Sequence, residues 1–381
     1  MKNLNISFFV LLLPHKKLFM KKILVILFLI SIVILNTNGQ GNNVQTLIHE
    51  GVALHDSAEY KKAIEKFEQA LKINPKSTLA LYEISLSYLE LKDYENASKY
   101  STRVINSNDK NLSVGAYAVK SEAMAEMKQI DNAIAILQEG LVKNGDSYLL
   151  HFNMALNYYK KGDIDKTLKH VSRAIELDKT NSGAFLLNAY AQRDKGLWVR
   201  SIYSFQLFLL LEPDSKRSKN AFEEMLQTML VKPVTEKPVE RSFTQQQLLQ
   251  NMPDNSVQQE MPPLSTEEGL NRNIIYNAIK FSMDSLKAAK KDADIYFVFT
   301  EVNKAILGAL EKESGALKSG SFWSFHHPFF KSILNSNHYD TFCRYISVSY
   351  FPESLEWWEN NKTDAENFIN WFEKGEDNGK S

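Results

Sequence analysis

The chain has 381 residues, 44% hydrophobic and 24% charged, with 45 basic and 45 acidic side chains. That length allows two or three domains, and the composition excludes a fibrous or wholly disordered chain. Residues 1–39 hold five lysines and no acid, so the remainder carries 40 basic against 45 acidic residues. A mildly acidic body gives no support for nucleic-acid binding, which would show as a basic patch or stripe, and no nucleic-acid partner is expected.

From Met20, Lys21 and Lys22 precede a mostly apolar run of thirteen residues, Ile23–Leu35, and Thr37-Asn38-Gly39 close it. A charged start, a short apolar stretch and a small-residue exit read as a bacterial-type signal peptide over residues 1–39, with Met20 as the true start. Such a run spans about 20 Å of helix against a hydrocarbon core of roughly 30 Å. No stable membrane span is therefore expected after cleavage, and the location is periplasmic or extracellular. A retained leader acting as an anchor is the second reading. Cys343 is the single cysteine, so packing rather than disulfides must hold the fold.

Next comes a period. Five frames starting at Val44, Thr78, Val114, Tyr148 and Ser182 are separated by 34, 36, 34 and 34 residues. Their eighth positions read Gly51, Ser85, Ser121, Ala155 and Ala189, and their twentieth read Ala63, Ala97, Ala133, Thr167 and Ser201. Ten small residues in phase are what two antiparallel helices need where they cross closely. The twenty-fourth positions hold Phe67, Leu137, Val171 and Phe205 as knobs, with Ser101 the exception. Pro75 and Pro213 end their frames, and Gly162 and Gly196 fall at turns, so each frame predicts helix, short turn, helix.

This pattern resembles the tetratricopeptide repeat family, with its small residue, Ala-x3-Phe and closing Pro at a 34-residue period. The resemblance covers residues 44–213 and implies an all-α superhelical solenoid. A helix over Ser215–Leu230 is expected to cap it with a polar face, making 44–230 one domain. The resemblance also implies that the first helix of each pair lines a concave groove. Its groove positions fall on Leu79, Tyr82, Leu86 and Leu89, on Leu149, Phe152, Leu156 and Tyr159, and on Leu186, Tyr190 and Arg193. Gly115, Ala118, Glu122 and Ala125 occupy them in the third repeat. This apolar trough lacks the Lys/Asn/Arg set by which some members hold a chain terminus. It implies a protein or peptide partner with an apolar segment. His151 and His170 stand as isolated residues on helices.

Residues 231–263 change character, with five prolines and six glutamines, and read as a linker. Phe243–Met252 inside it is a tethered peptide that would have a high effective concentration for the trough, an intramolecular contact. Ser265 and Glu268 have capping-box spacing and open a helix to about Lys291, and a second runs over Ala293–Glu313. "SLEWWENN" and "KTDAENFINWFEKG" read as two closing helices, and "RYISVSYF" is a candidate strand. A smaller aromatic-rich helical domain is thus expected over 264–375, then a disordered tail over 376–381.

Within it, "GSFWSFHHPFFKSILNSNHYDTFCRY" (residues 320–345) gathers His326, His327, His338, Asp340 and Cys343 among aromatics. Helical spacing sends His338 and Asp340 apart and sets Cys343 on an apolar face near Tyr339 and Ile346. The stretch reads as core, with no metal, no cofactor and no catalytic residue. An alternative makes this domain a hydrolase or metal enzyme using His327 or His338 with Asp340, oriented by Asp340 or Glu356, and the repeats its recognition module. The leading expectation is an exported scaffold or adaptor, not an enzyme.

Overall fold

The computed structural model describes residues 39–230, 242–243, 267–289, 293–313 and 322–374. The expected leader (up to residue 38), most of the expected linker, Ser265 and the expected tail lie outside the described residues. Five helix pairs come first. They are α1 (Gly39–Asp56) with α2 (Tyr60–Ile73), α3 (Thr78–Glu90) with α4 (Tyr94–Asn106), and α5 (Lys110–Glu126) with α6 (Ile130–Asn144). Then come α7 (Tyr148–Lys161) with α8 (Ile164–Leu177), and α9 (Ser182–Asp194) with α10 (Trp198–Leu211). After them stand α11 (Lys216–Thr228), α12 (Glu267–Ala289), α13 (Ile295–Glu313), α14 (His327–Asn335), α15 (Tyr339–Ile346), α16 (Pro352–Asn360) and α17 (Lys362–Lys374). The described residues are all-α apart from a two-residue antiparallel ladder, β1 (Ser242–Phe243) on β2 (Ala293–Asp294). The candidate strand is absent: Tyr345-Ile346 end α15 and residues 347–350 are turn. Contacts divide the described chain into two compact units, one ending at Lys179 and one beginning at Thr180.

The first unit holds repeats one to four. The ten in-phase small residues are all buried across the five pairs, and Phe67, Leu137, Val171 and Phe205 are fully so. A Cβ on Gly51 would come 2.4–2.8 Å from carbons of the buried Phe67 ring, so an alanine there requires that ring to shift. Ser101, the exception among the knobs, is also fully buried and satisfies its hydroxyl by donating to the Ala97 carbonyl at 2.8 Å. The turn inside each pair takes a left-handed residue at one recurring place. These are Ala58 (φ 59°), Lys92 (61°), Lys128 (65°), Gly162 (80°) and Gly196 (81°).

The second unit is built around α10, which buries Val199 and every residue from Ser201 to Leu210. A helix buried on all sides needs both apolar cover and partners for its buried polar groups. Tyr203 meets Phe322 and Phe330 at ring distances of 5.3 and 4.5 Å. Gln206 Nε2 donates to Asn303 Oδ1 at 2.6 Å, and Arg200 pairs with Glu267. Leu197, at the N-cap of α10, has no side chain to cap it; Asn271 of α12 accepts from the Val199 and Arg200 amides instead, at 2.9 and 3.3 Å.

Two expectations change here. Compact packing does not divide at residues 231–263, because the fifth repeat shares one core with the C-terminal helices. Nor does α11 end the packing: Lys216, Arg217, Lys219, Asn220 and Gln227 give it the expected exposed polar face, but its Phe222 is fully buried against Phe299, Tyr350 and Phe351, with ring centroids 5.1–5.5 Å away.

Candidate partner-binding groove

In the first unit the first helices of successive repeats, α1, α3, α5 and α7, lie side by side. Cross-links at repeat spacing tie them together. His55 Nδ1 meets Ser87 Oγ at 2.9 Å, Asn157 Nδ2 donates to Ser121 Oγ at 2.9 Å, and Lys160 Nζ reaches Glu126 at 2.7 Å. Thr78, at the start of α3, donates to Asp109, which caps α5, at 2.6 Å. Equivalent positions of the four helices therefore share a face.

On that face Leu79, Tyr82, Leu86 and Leu89 of α3 are half-buried, as are Leu149, Phe152, Leu156 and Tyr159 of α7. Their covered sides pack between repeats. Tyr82, Leu86 and Leu89 rest on Ala97, Val119 and Ala123. Tyr82 lies over Gly115, where an added Cβ would meet the tyrosine hydroxyl. Phe152 stacks on Tyr148 at 5.8 Å with the rings 11° apart. The remaining sides stay open to solvent.

The three expected residues of the fifth repeat belong to the second unit. There Tyr190 Oη donates to Glu224 at 3.3 Å and Arg193 Nη1 to the same carboxylate at 2.6 Å, both toward α11. Arg193 also sits 5.1 Å over the Tyr190 ring. Leu186 is half-buried beside them on α9. The structure thus brings the residues of repeats two to four onto one face and gives Tyr190 and Arg193 an internal partner.

Of the carboxylates on the same helices, the groove expectation named Glu122 and missed the others. Asp56, Glu90 and Glu126 recur at the thirteenth position of their frames, where Lys160 stands in the fourth. Glu83 is half-buried, and burial, followed by repulsion from Asp56, pushes its carboxyl up to about 7. Glu122 is exposed by area, yet enough protein surrounds its carboxyl to raise it too; Glu126 and Glu90 add to the rise and Lys160 opposes it. A recurring acid at one frame position was the available signal.

His151 and His170 are not isolated. They meet across α7 and α8, Nδ1 to Nδ1 at 2.9 Å, and His151 Nε2 contacts Asp146 at 2.7 Å. Burial first, then His151 and Lys169, drives His170 down to about 4.

The histidine-rich stretch is packed into the second unit. His326 and His327 are buried, the first edge-on to Phe185 at 6.2 Å and the second 4.8 Å from the Trp323 ring. His338 rests against Trp371 and Phe368 at 5.0 and 6.1 Å. Asp340 Oδ1 accepts from Tyr296 Oη at 3.1 Å. Cys343 is fully buried, and burial pushes its thiol up to about 12, away from thiolate chemistry. Among the described residues no group of three or more His, Cys, Asp or Glu is placed to hold a metal ion. No described helix is long and apolar enough to cross a membrane.

Residues 44–77 and 79–111 each match the family model described as Tetratricopeptide repeat. A "TPR repeat-containing protein" of Methanocaldococcus jannaschii is 22% identical over 129 residues, covering 34% of this chain and 22% of that protein. The "BBSome complex member BBS4" of Xenopus tropicalis is 25% identical over 113 residues, covering 30% of this chain and 22% of that protein. The chain therefore spans under a quarter of the length of these curated relatives. Among solved structures, a thermophilic TPR protein of Thermus thermophilus is similar at TM-score 0.43 and 21% identity, over 49% of this chain and 99% of its own. The pilF protein of Pseudomonas aeruginosa is similar at TM-score 0.44 and 14% identity, over 50% and 86%.

Proposed function

The chain is a tetratricopeptide repeat protein, and from that premise we propose that it is an exported scaffold whose first four repeats hold an apolar segment of a partner protein. The observation that carries the proposal is the face of half-buried Leu79, Tyr82, Leu86, Leu89, Phe152, Leu156 and Tyr159 on parallel-stacked first helices. Each apolar side chain closed off there contributes up to about 1.5–3 kcal/mol before ordering costs. Half-burial supports the reading because these side chains are fixed on one side by the neighbouring repeat and open on the other.

Export belongs to the same proposal and rests on the Lys21–Leu35 pattern; a mature N-terminus near Gly39 supports it, and a retained Met1 or Met20 speaks against it. An internal occupant, the segment Phe243–Met252, is the competing guest for this face. Deleting Phe243–Met252 raises partner affinity if that segment competes and leaves it unchanged if it does not.

The test is retention of partners from cell-envelope extract by the mature chain and by a Leu86→Ala, Phe152→Ala variant with unchanged circular dichroism. Loss of one specific protein by the variant supports the groove. Equal retention by both assigns recognition elsewhere.

A further inference from the structure

The groove has a charge as well as an apolar floor, and that charge names the class of its guest. This step rests on the groove reading just proposed. In the first unit several exposed carboxylates away from the groove have basic partners, as Glu50 with Lys66 at 2.6 Å, Asp131 with Lys161 at 2.6 Å, Asp163 with Lys166 at 2.9 Å, and Asp146 with Arg173, whereas Glu65, Glu68 and Glu95 on the outer helices have none among the described residues. Of Asp56, Glu83, Glu90, Glu122 and Glu126, Glu126 is paired, with Lys160 at 2.7 Å. Among the described residues the other four have no ion pair, although Glu83 lies half-buried beside Tyr82 on α3.

A carboxylate withdrawn from water without a cation is costly, and Glu83 is half-buried with no ion pair, whereas the unpaired acids of the outer helices, such as Glu65 and Glu95, are exposed to water. Tyr82 and Leu86 flank Glu83 on α3, so a guest that seats an apolar side chain on them brings its neighbouring residues to that carboxylate. Asp56 on α1 and Glu90 and Glu122 on α3 and α5 extend the same sign across three repeats, with Lys160 at the far end already engaged. An acidic or neutral guest would leave these groups unpaired and further desolvated; a guest bearing Lys or Arg pairs them.

We propose that the partner segment is a cationic amphipathic helix or strand, apolar residues on Tyr82, Leu86 and Phe152, and Lys or Arg residues on Glu83 and Glu122. The apolar contacts hold the segment, and the carboxylates select it against acidic segments of equal hydrophobicity.

The experiment uses the full mature chain and two labelled probes of about four helical turns, a Leu/Lys model helix and a Leu/Glu model helix of equal length. Fluorescence anisotropy reads affinity at low and moderate salt. The proposal expects the Leu/Lys probe to bind at least roughly tenfold tighter than the Leu/Glu probe, with the gap narrowing as salt rises. Glu83→Gln with Glu122→Gln should remove most of that preference, while the outer-helix control Glu65→Gln with Glu95→Gln keeps it. Leu86→Ala with Phe152→Ala should weaken binding of the Leu/Lys probe itself. A wild-type chain that binds both probes equally and loses both in the Leu86/Phe152 variant overturns the charge assignment and leaves the groove standing. Leu/Lys binding that ignores both groove variants overturns the groove as well. So does failure of the wild type to bind the Leu/Lys probe at all.

Discussion

At Gly162 the backbone stands at φ 80°, and nothing lies within 4 Å of where a Cβ would be. An alanine there meets no neighbour, so its cost is the left-handed backbone alone, about 1 kcal/mol. Gly162→Ala should lower stability by that amount in denaturant titration. Lys128, at φ 65° in the same place of the third repeat, already bears such strain; Lys128→Gly should cost nothing or stabilise slightly. The His151–His170 contact makes a second prediction. His170's folded pKa, about 4, lies below its unfolded value near 6.5. The unfolded chain therefore takes up the proton first, and stability falls as pH drops from about 6.5 toward about 4, then levels. Half-exposure screens the effect to about 1 kcal/mol. His170→Asn should flatten this part of the stability–pH curve; an unchanged curve contradicts the assignment.

At the scale of elements, α10 and its borrowed cap carry the second unit. Asn271→Ala leaves two amides of α10 without an acceptor in a buried setting and should cost about 1–2 kcal/mol. Phe222→Ala empties a site walled by aromatic rings and should cost about 3–5 kcal/mol. By hydrogen exchange, the Phe222 change should speed exchange in α13 and α15 and leave α1–α4 untouched. Much of this level was legible in the sequence. The ten small residues in phase gave every helix pair its register, and the helices over 267–289, 295–313, 352–360 and 362–374 fall close to where patterning put them. What was missed had a visible cause. "WVRSIYSFQLFLLL" has Arg200 as its only charged residue and apolar residues around most of its circumference, unlike the other second helices, and Leu197 stands where Asp93 and Asp163 cap the equivalent helices. Both features ask for helices from elsewhere in the chain. The lone periodicity of the repeats could not say which, since Asn271 lies 72 residues from the amide it caps.

At the scale of the molecule, the fifth repeat has two allegiances: its sequence follows the repeats and its packing follows the C-terminal helices. A chain cut after Leu230 would uncover Tyr203, Gln206 and Phe222, and it should bind hydrophobic dyes and aggregate where the full chain does not. The groove was only half legible. Apolar positions came from the family pattern, whereas charges at the rim of a helix read in isolation as a solvated face; their unpaired state needed the neighbouring repeats to be seen. Site-specific photo-crosslinking in cells tests the central claim most directly. A photoreactive residue at Leu86, on the groove face, should capture one specific partner protein, and the same residue at Gln138, exposed on the outer helix α6, should not. Capture of that protein from Gln138, or from neither position while it still co-purifies with the chain, would contradict the groove as the functional surface.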